Sequence, residues 1–162
     1  MYQKGRAWIE LNLNNLAHNA AQLKRLLPDS CALMPAVKAN AYGHGADTIA
    51  RALERMGVTD FCVASVSEGI ALRNAGITGQ ILVLSYTSPY QFSELRRYRL
   101  TQTVIDYDYA RQLHAFGKPI DVHVGIDTGM HRLGERFDHP EKLLEIWKFK
   151  NLNITGVFSH LC

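Results

Sequence analysis

The sequence is short of several things, and each shortage removes a class of protein. Across its 162 residues no apolar run approaches the roughly 20 residues that a membrane-spanning helix needs. The start, MYQKGRAWIELN (1–12), carries charge but no hydrophobic signal region, so the expectation is a soluble chain with no export signal of its own. Cysteines number only three, Cys31, Cys62 and Cys162, and their spacings form neither a CxxC nor a zinc pattern. Cys31 and Cys62 lie in or beside apolar runs and read as buried, reduced thiols of a cytosolic protein. Blocks of like charge are missing too. Eighteen basic against 15 acidic residues give +3, interleaved along the chain, a balance that argues for neither nucleic acid nor a membrane surface. Finally, no GxGxxG follows the first strand-like segment, which removes the strongest argument for a dinucleotide-binding sheet.

What is present is a 47% hydrophobic composition, enough for one substantial core, and a regular alternation of short apolar runs with helical patterns. AWIEL (7–11) reads as a strand, after which Asn12 caps a helix with Leu13, Leu16, Ala17, Ala20, Leu23 and Leu27 at helical spacing. Strands are expected at 32–37, 60–65, 81–85, 101–105, 120–126 and 153–160. Helices are expected at 47–56, stopped by Gly57, at 68–74, stopped by Gly76, and at 89–98, 107–116 and 140–150. Strands of this length separated by single helices mean a parallel sheet of βα units.

Two architectures use that alternation, a doubly wound open sheet and a (β/α)8 barrel. Strand 120–126 favours the barrel. Its parity puts Ile120, Val122, Val124 and Ile126 on one face and Asp121, His123, Gly125 and then Asp127 on the other. A central strand of an open sheet would more often be apolar on both faces. The same parity places Ala32, Met34 and Ala36 beneath Lys38, small residues under a charge at a strand end. Six strands and five helices from residue 31 onward make an incomplete barrel, so the expectation is the first six strands or so of a TIM-type fold. The alternative is a six-stranded open sheet complete in itself.

Lys38 stands where a barrel carries its active site, at the C-terminal end of a strand. A desolvated amine there is a competent nucleophile toward a carbonyl, although a snorkelling or ion-paired rim lysine would look the same from position alone.

The surrounding residues resolve this. VKANAYGHG (37–45) resembles the pyridoxal-phosphate attachment motif of the alanine racemases, RAWIELNLNNLAHN (6–19) resembles their N-terminal strand and helix, and DTGMHRLG (127–134) their strand-5 loop. FSHL (158–161) is a shorter fourth match. The first and third motifs together separate this family from other barrels holding the same cofactor, such as basic amino-acid decarboxylases and the small cofactor-homeostasis proteins.

The resemblance implies a PLP-dependent isomerase that interconverts L- and D-alanine for peptidoglycan. Pyridoxal 5'-phosphate would be bound covalently through Lys38 as an aldimine, and Lys38 would double as the catalytic base for the D side. Tyr42 would reach the cofactor phosphate, Arg132 would bond near its phenolic oxygen as a second catalytic residue, and His160 would pack by its ring. No metal is implied. Residues 1–162 would be the incomplete, cofactor-binding N-terminal part of a cytoplasmic homodimer. Its C-terminal β-domain would lie outside this sequence, with the second base, a tyrosine from the partner subunit. The isolated piece would then be inactive.

One position departs from the family. Many members carry a carbamylated lysine two residues before DTGM, and here that residue is Gly125, so Arg132 must be held by an anion or by an inward neighbour such as His123. VHVGIDTGMHRLG (122–134) looks more like the membrane-linked serine/alanine racemases of vancomycin-resistance clusters, in which L-serine would be a substrate and a membrane domain would accompany the racemase part. His44 and Asn40 are expected to shape the attachment loop, and Glu68 to favour a helix start through the dipole alone.

Overall fold

Three helices in this chain begin where a short polar side chain takes up free N–H groups of the first turn. Asn12 Oδ1 accepts from Asn14 and Asn15 at 3.0 and 3.1 Å, Ser65 caps through Glu68 N–H, and Asp106 accepts from Tyr109 at 2.7 Å. A computed structural model describes residues 6–161; Cys162 and the charged start 1–5 lie outside the described residues. In chain order come α1 (Leu13–Arg25), a short turn α2 (Lys38–Tyr42), α3 (Ala46–Glu54), β1 (Phe61–Val63), α4 (Val66–Asn74) and β2 (Ile81–Val83). Then follow α5 (Phe92–Arg97), β3 (Thr101–Val104), α6 (Tyr107–Ala115), β4 (Ile120–Asp127), β5 (Glu135–Arg136), α7 (Pro140–Ile146) and β6 (Leu152–Ser159).

All pairings are parallel. The order runs β1-β2-β3-β4, with β6 along β4 and the two-residue β5 at the end of β4. An isolated bridge sets Ala36 beside Cys62, so the segment before Lys38 takes the place ahead of β1. This sequential order never reverses. A doubly wound sheet changes direction at a switch point, whereas a (β/α)8 barrel adds each strand beside the last. The fold is therefore a partial TIM-type barrel.

The core lies between sheet and helices and includes Phe61, Ile81, Val83, Leu95, Val104, Leu113, Ile120, Val122 and Val124, all essentially inaccessible. The other face of β4 is polar, as its parity requires. His123 meets Gln80, Nε2 to Nε2, at 3.1 Å, and Gly156 makes room for it across a bulge in the β4–β6 register. Burial lowers the His123 pKa, so the ring is neutral in the sheet's interior.

Several elements differ from expectation. Residues 7–11 form no strand: Trp8 and Ile9 are exposed, and the run has no ladder partner among the described residues. The strand expected at 32–37 contracts to the Ala36 bridge, since Pro35 has no N–H to donate. Cys31, read as buried, is exposed, while Cys62 is half-buried. Helix α7 stops at Ile146 rather than 150.

Gln102 fixes the C-terminal ends of β2 and β3. Fully buried, it accepts from Thr87 Oγ1 at 2.6 Å and donates to the carbonyls of Ser85 and Thr103, each at 2.8 Å. Replacing it by Leu strands those partners, and a buried unsatisfied group costs about 1–3 kcal/mol. Gln102→Leu is expected to lower stability by at least about 2 kcal/mol in urea unfolding, well above the ~0.5 kcal/mol of a neutral surface change.

Candidate active site

Immediately after the Ala36 bridge the backbone changes hand. Ala39, Asn40, Ala41 and Tyr42 stand at φ +50°, +55°, +52° and +54°, a left-handed turn closed by Gly43 at φ +91°. L-residues pay about 1–2 kcal/mol each for that hand, and only Asn tolerates it readily. The turn is braced from both sides. Ala39 and Ala64 N–H donate to the two oxygens of Glu68 at 2.8 and 2.7 Å, and Ala46 N–H at the start of α3 donates to Asn40 Oδ1 at 2.8 Å. Sequence reasoning gave Asn40 its loop-shaping role correctly. It missed Glu68, whose partner Ala39 lies 29 residues away.

The second motif folds around an acid. Asp127, at the end of β4, accepts N–H bonds from Gly129 and His131 at 3.0 and 2.9 Å and pairs with His131 Nδ1 at 2.9 Å. The His131 N–H, then that of Gly129, hold the Asp127 carboxyl at about 2. The end of the loop is stitched to the β3–α6 junction: Gly134 N–H donates to Ile105 O at 2.8 Å and Tyr107 N–H to the buried Glu135 at 2.8 Å. Gly134 lies against the backbone, where a Cβ would sit 2.7 Å from Asp127 N. Arg132 projects from the middle of this loop, exposed at the rim.

These loops and the strand ends enclose a cavity of about 430 Å3, within the usual range of about 300–1,000 Å3 for small-molecule sites. Lys38, Tyr42, Arg132 and His160 all line it, with Ser85, Thr103 and Gly125. Lys38, Tyr42 and Arg132 make no side-chain hydrogen bond or ion pair among the described residues. His160 Nδ1 bonds the Leu161 carbonyl at 2.9 Å. The Thr103 hydroxyl is buried without a partner, and Cys62, also in the wall, has its thiol pushed up to about 11 by burial and stays protonated. At Gly125 a Cβ would already meet Val104 O at 3.2 Å. His123 turns to Gln80, so it is not what holds Arg132.

Fold and cavity together define a barrel with its uncommitted amine, guanidinium and hydroxyl groups gathered at the C-terminal face. Residues 11–162 match the family model for the N-terminal domain of alanine racemase. The chain belongs to the alanine racemase family. It is 46% identical over 157 residues to an amino-acid racemase of Enterococcus faecalis, covering 97% of this chain and 22% of that protein. It is 44% identical to a serine/alanine racemase of Enterococcus gallinarum, covering 96% and 22%. The alanine racemase of Clostridium difficile 630 superimposes with a TM-score of 0.88 at 35% identity, covering 98% of this chain and 46% of that one. The chain thus spans about a fifth of the two enterococcal relatives and under half of the solved racemase.

The Asp127 bonds give a pH test. The folded value lies below the ordinary 3.8, so the stabilisation is complete above that value and is lost as pH falls through about 2. Thermal melting of the protein and of Asp127→Asn should differ most above about pH 4 and converge toward about pH 2.

Proposed function

We propose that the whole protein is a pyridoxal-phosphate-dependent amino-acid racemase interconverting L- and D-alanine, and that residues 1–162 form part of its cofactor-binding domain. The observation that carries this reading is the convergence of Lys38, Tyr42, Arg132 and His160, from three separate segments, on one cavity. The donor set fits the cofactor: an amine for covalent attachment, a phenol for a phosphate, a guanidinium for a phenolate oxygen, and an orphaned buried hydroxyl at Thr103. Bound there, the cofactor supplies an electron sink next to the substrate's α-carbon. Lys38 would tether the group and, when freed, hold a proton at Nζ on one face of the substrate. Tyr42 would donate to the phosphate, Arg132 would place positive charge at the rim, and His160 would pack against the ring. The opposite face needs a second base, which we assign to a tyrosine of a C-terminal β-domain reaching across a homodimer, as in the family. The product serves peptidoglycan synthesis in the cytoplasm. No helix among the described residues is long and apolar enough to cross a membrane.

A second reading is favoured by a specific observation. The relatives covered to only 22% are about twice as long as the solved racemase covered to 46%, and one of them is a serine/alanine racemase. Together with Gly125, this supports a longer protein of the vancomycin-resistance type that also accepts L-serine. Comparing kcat/KM for L-serine and L-alanine in the full-length protein decides between the readings.

Borohydride reduction of the full-length protein with pyridoxal phosphate, followed by peptide mapping, is expected to label Lys38, and Lys38→Ala to abolish racemisation. A label elsewhere sinks the assignment. With no lysine at 125 to carbamylate, activity should not respond to bicarbonate; a response would place that role on another lysine. The 162-residue chain by itself is expected to give no sustained turnover, since the second base is assigned to a domain outside these residues. Chiral chromatography of alanine incubated with that chain and cofactor provides the check.

A further inference from the structure

Ser65 and Glu68 have the S-x-x-E spacing of a capping box, in which the Glu returns to the N–H of its own cap residue. Here it does not. The Glu68 carboxylate reaches past Ser65 to the N–H of Ala64 at 2.7 Å and, from another segment, to the N–H of Ala39 at 2.8 Å. The Ala39 N–H belongs to the peptide that follows Lys38. It opens a left-handed turn, and a first-turn N–H has no acceptor within its own helix.

We infer that Glu68 is a positioning residue for Lys38: by holding the peptide after the lysine against the β1–α4 junction, it fixes where the amine stands over the cavity. This deepens the role proposed for Lys38 and rests on it. Glu68 acts through the backbone, because both its oxygens face N–H donors and no ion pair joins it to the lysine among the described residues. That division matters chemically. A carboxylate against the amine would hold it protonated, whereas one spent on backbone N–H groups orients the lysine and leaves Nζ free to react. The site also demands a carboxylate. Glutamine has one acceptor oxygen and an NH2, so one of the two N–H groups would face another donor.

The test uses the full-length protein, with Glu68→Gln, Glu68→Asp and Asn12→Ala as a control that removes an ordinary helix cap outside the cavity lining. Four quantities are measured: amide exchange of segment 37–45 without cofactor, pyridoxal-phosphate affinity by absorbance, kcat against KM for alanine, and melting temperature. In Glu68→Gln, the Ala39 amide should exchange about tenfold faster, cofactor should bind about tenfold more weakly, and kcat should fall at least about tenfold with KM little changed, the scale of one charge-assisted hydrogen bond. Glu68→Asp, which keeps the charge, should recover part of each loss. Asn12→Ala should lower melting alone.

Parental cofactor affinity and kcat in Glu68→Gln, whatever its melting temperature, would make Glu68 a helix cap only and overturn the inference. If Glu68→Gln does not fold, Glu68→Asp carries the test: parental exchange and cofactor affinity in that variant overturn it as well. Borohydride labelling separates the two levels. A parent protein unlabelled at Lys38 removes the Lys38 role and this inference with it. Labelling at Lys38 with equal rates in parent and variants removes the Glu68 inference alone.

Discussion

A left-handed turn of L-residues does not hold itself, and the cavity depends on one. Ala39, Ala41 and Tyr42 together carry about 3–6 kcal/mol of strain at 1–2 each. One hydrogen bond to a charged group contributes about 1.5–3 kcal/mol, so the Glu68 bond to the Ala39 N–H offsets about half of that strain. Asn40, the one residue of the four suited to this hand, ties the far side of the turn to the start of α3. Strain so supported belongs with sites rather than scaffolds, and here both ends of the strained turn, Lys38 and Tyr42, open on the cavity.

The second motif loop uses the same device. Asp127 takes two backbone N–H groups and a histidine, and Glu135 takes the first N–H of α6. Glu68, Asp127 and Glu135 thus all take backbone N–H groups, and Lys38 and Arg132 have no carboxylate partner among the described residues. Electrostatically this is an uncommon economy. A rim lysine and a rim arginine would ordinarily be ion-paired, and here the nearby carboxylates build the loops while the cations face the cavity open to an anionic ligand.

Much of this was legible in the sequence because it is periodic or local. The parity of 120–126 correctly separated the helix-facing Ile120, Val122 and Val124 from the polar His123 and Gly125, and the four residues singled out through the motifs, Lys38, Tyr42, Arg132 and His160, line one cavity. What escaped was non-local or unsignalled. Glu68 looks like a capping residue until the fold delivers Ala39 to it. The left-handed turn is written in Ala, Asn, Ala and Tyr, with no glycine before Gly43 to mark it. AWIEL and 32–37 have strand composition, but strands are made by partners, and a pattern cannot supply one. Two-residue β5 is too short to carry any period.

The cavity also argues for closure of the sheet. Neighbouring strands lie about 4.8 Å apart, so six positions laid flat would separate the first from the last by about 24 Å. Yet Ala36 and Lys38, from the position ahead of β1, line the same cavity of about 430 Å3 as Phe158 and His160 at the end of β6. A flat sheet cannot bring them together across that distance. Sequential parallel pairing, a polar inner face and a shared cavity between the two outermost positions are joint consequences of a sheet coiling about an axis. The coiling is what converts three separated motifs into one site: His160 enters because the strand that carries it has come around to face the strand position that carries Lys38.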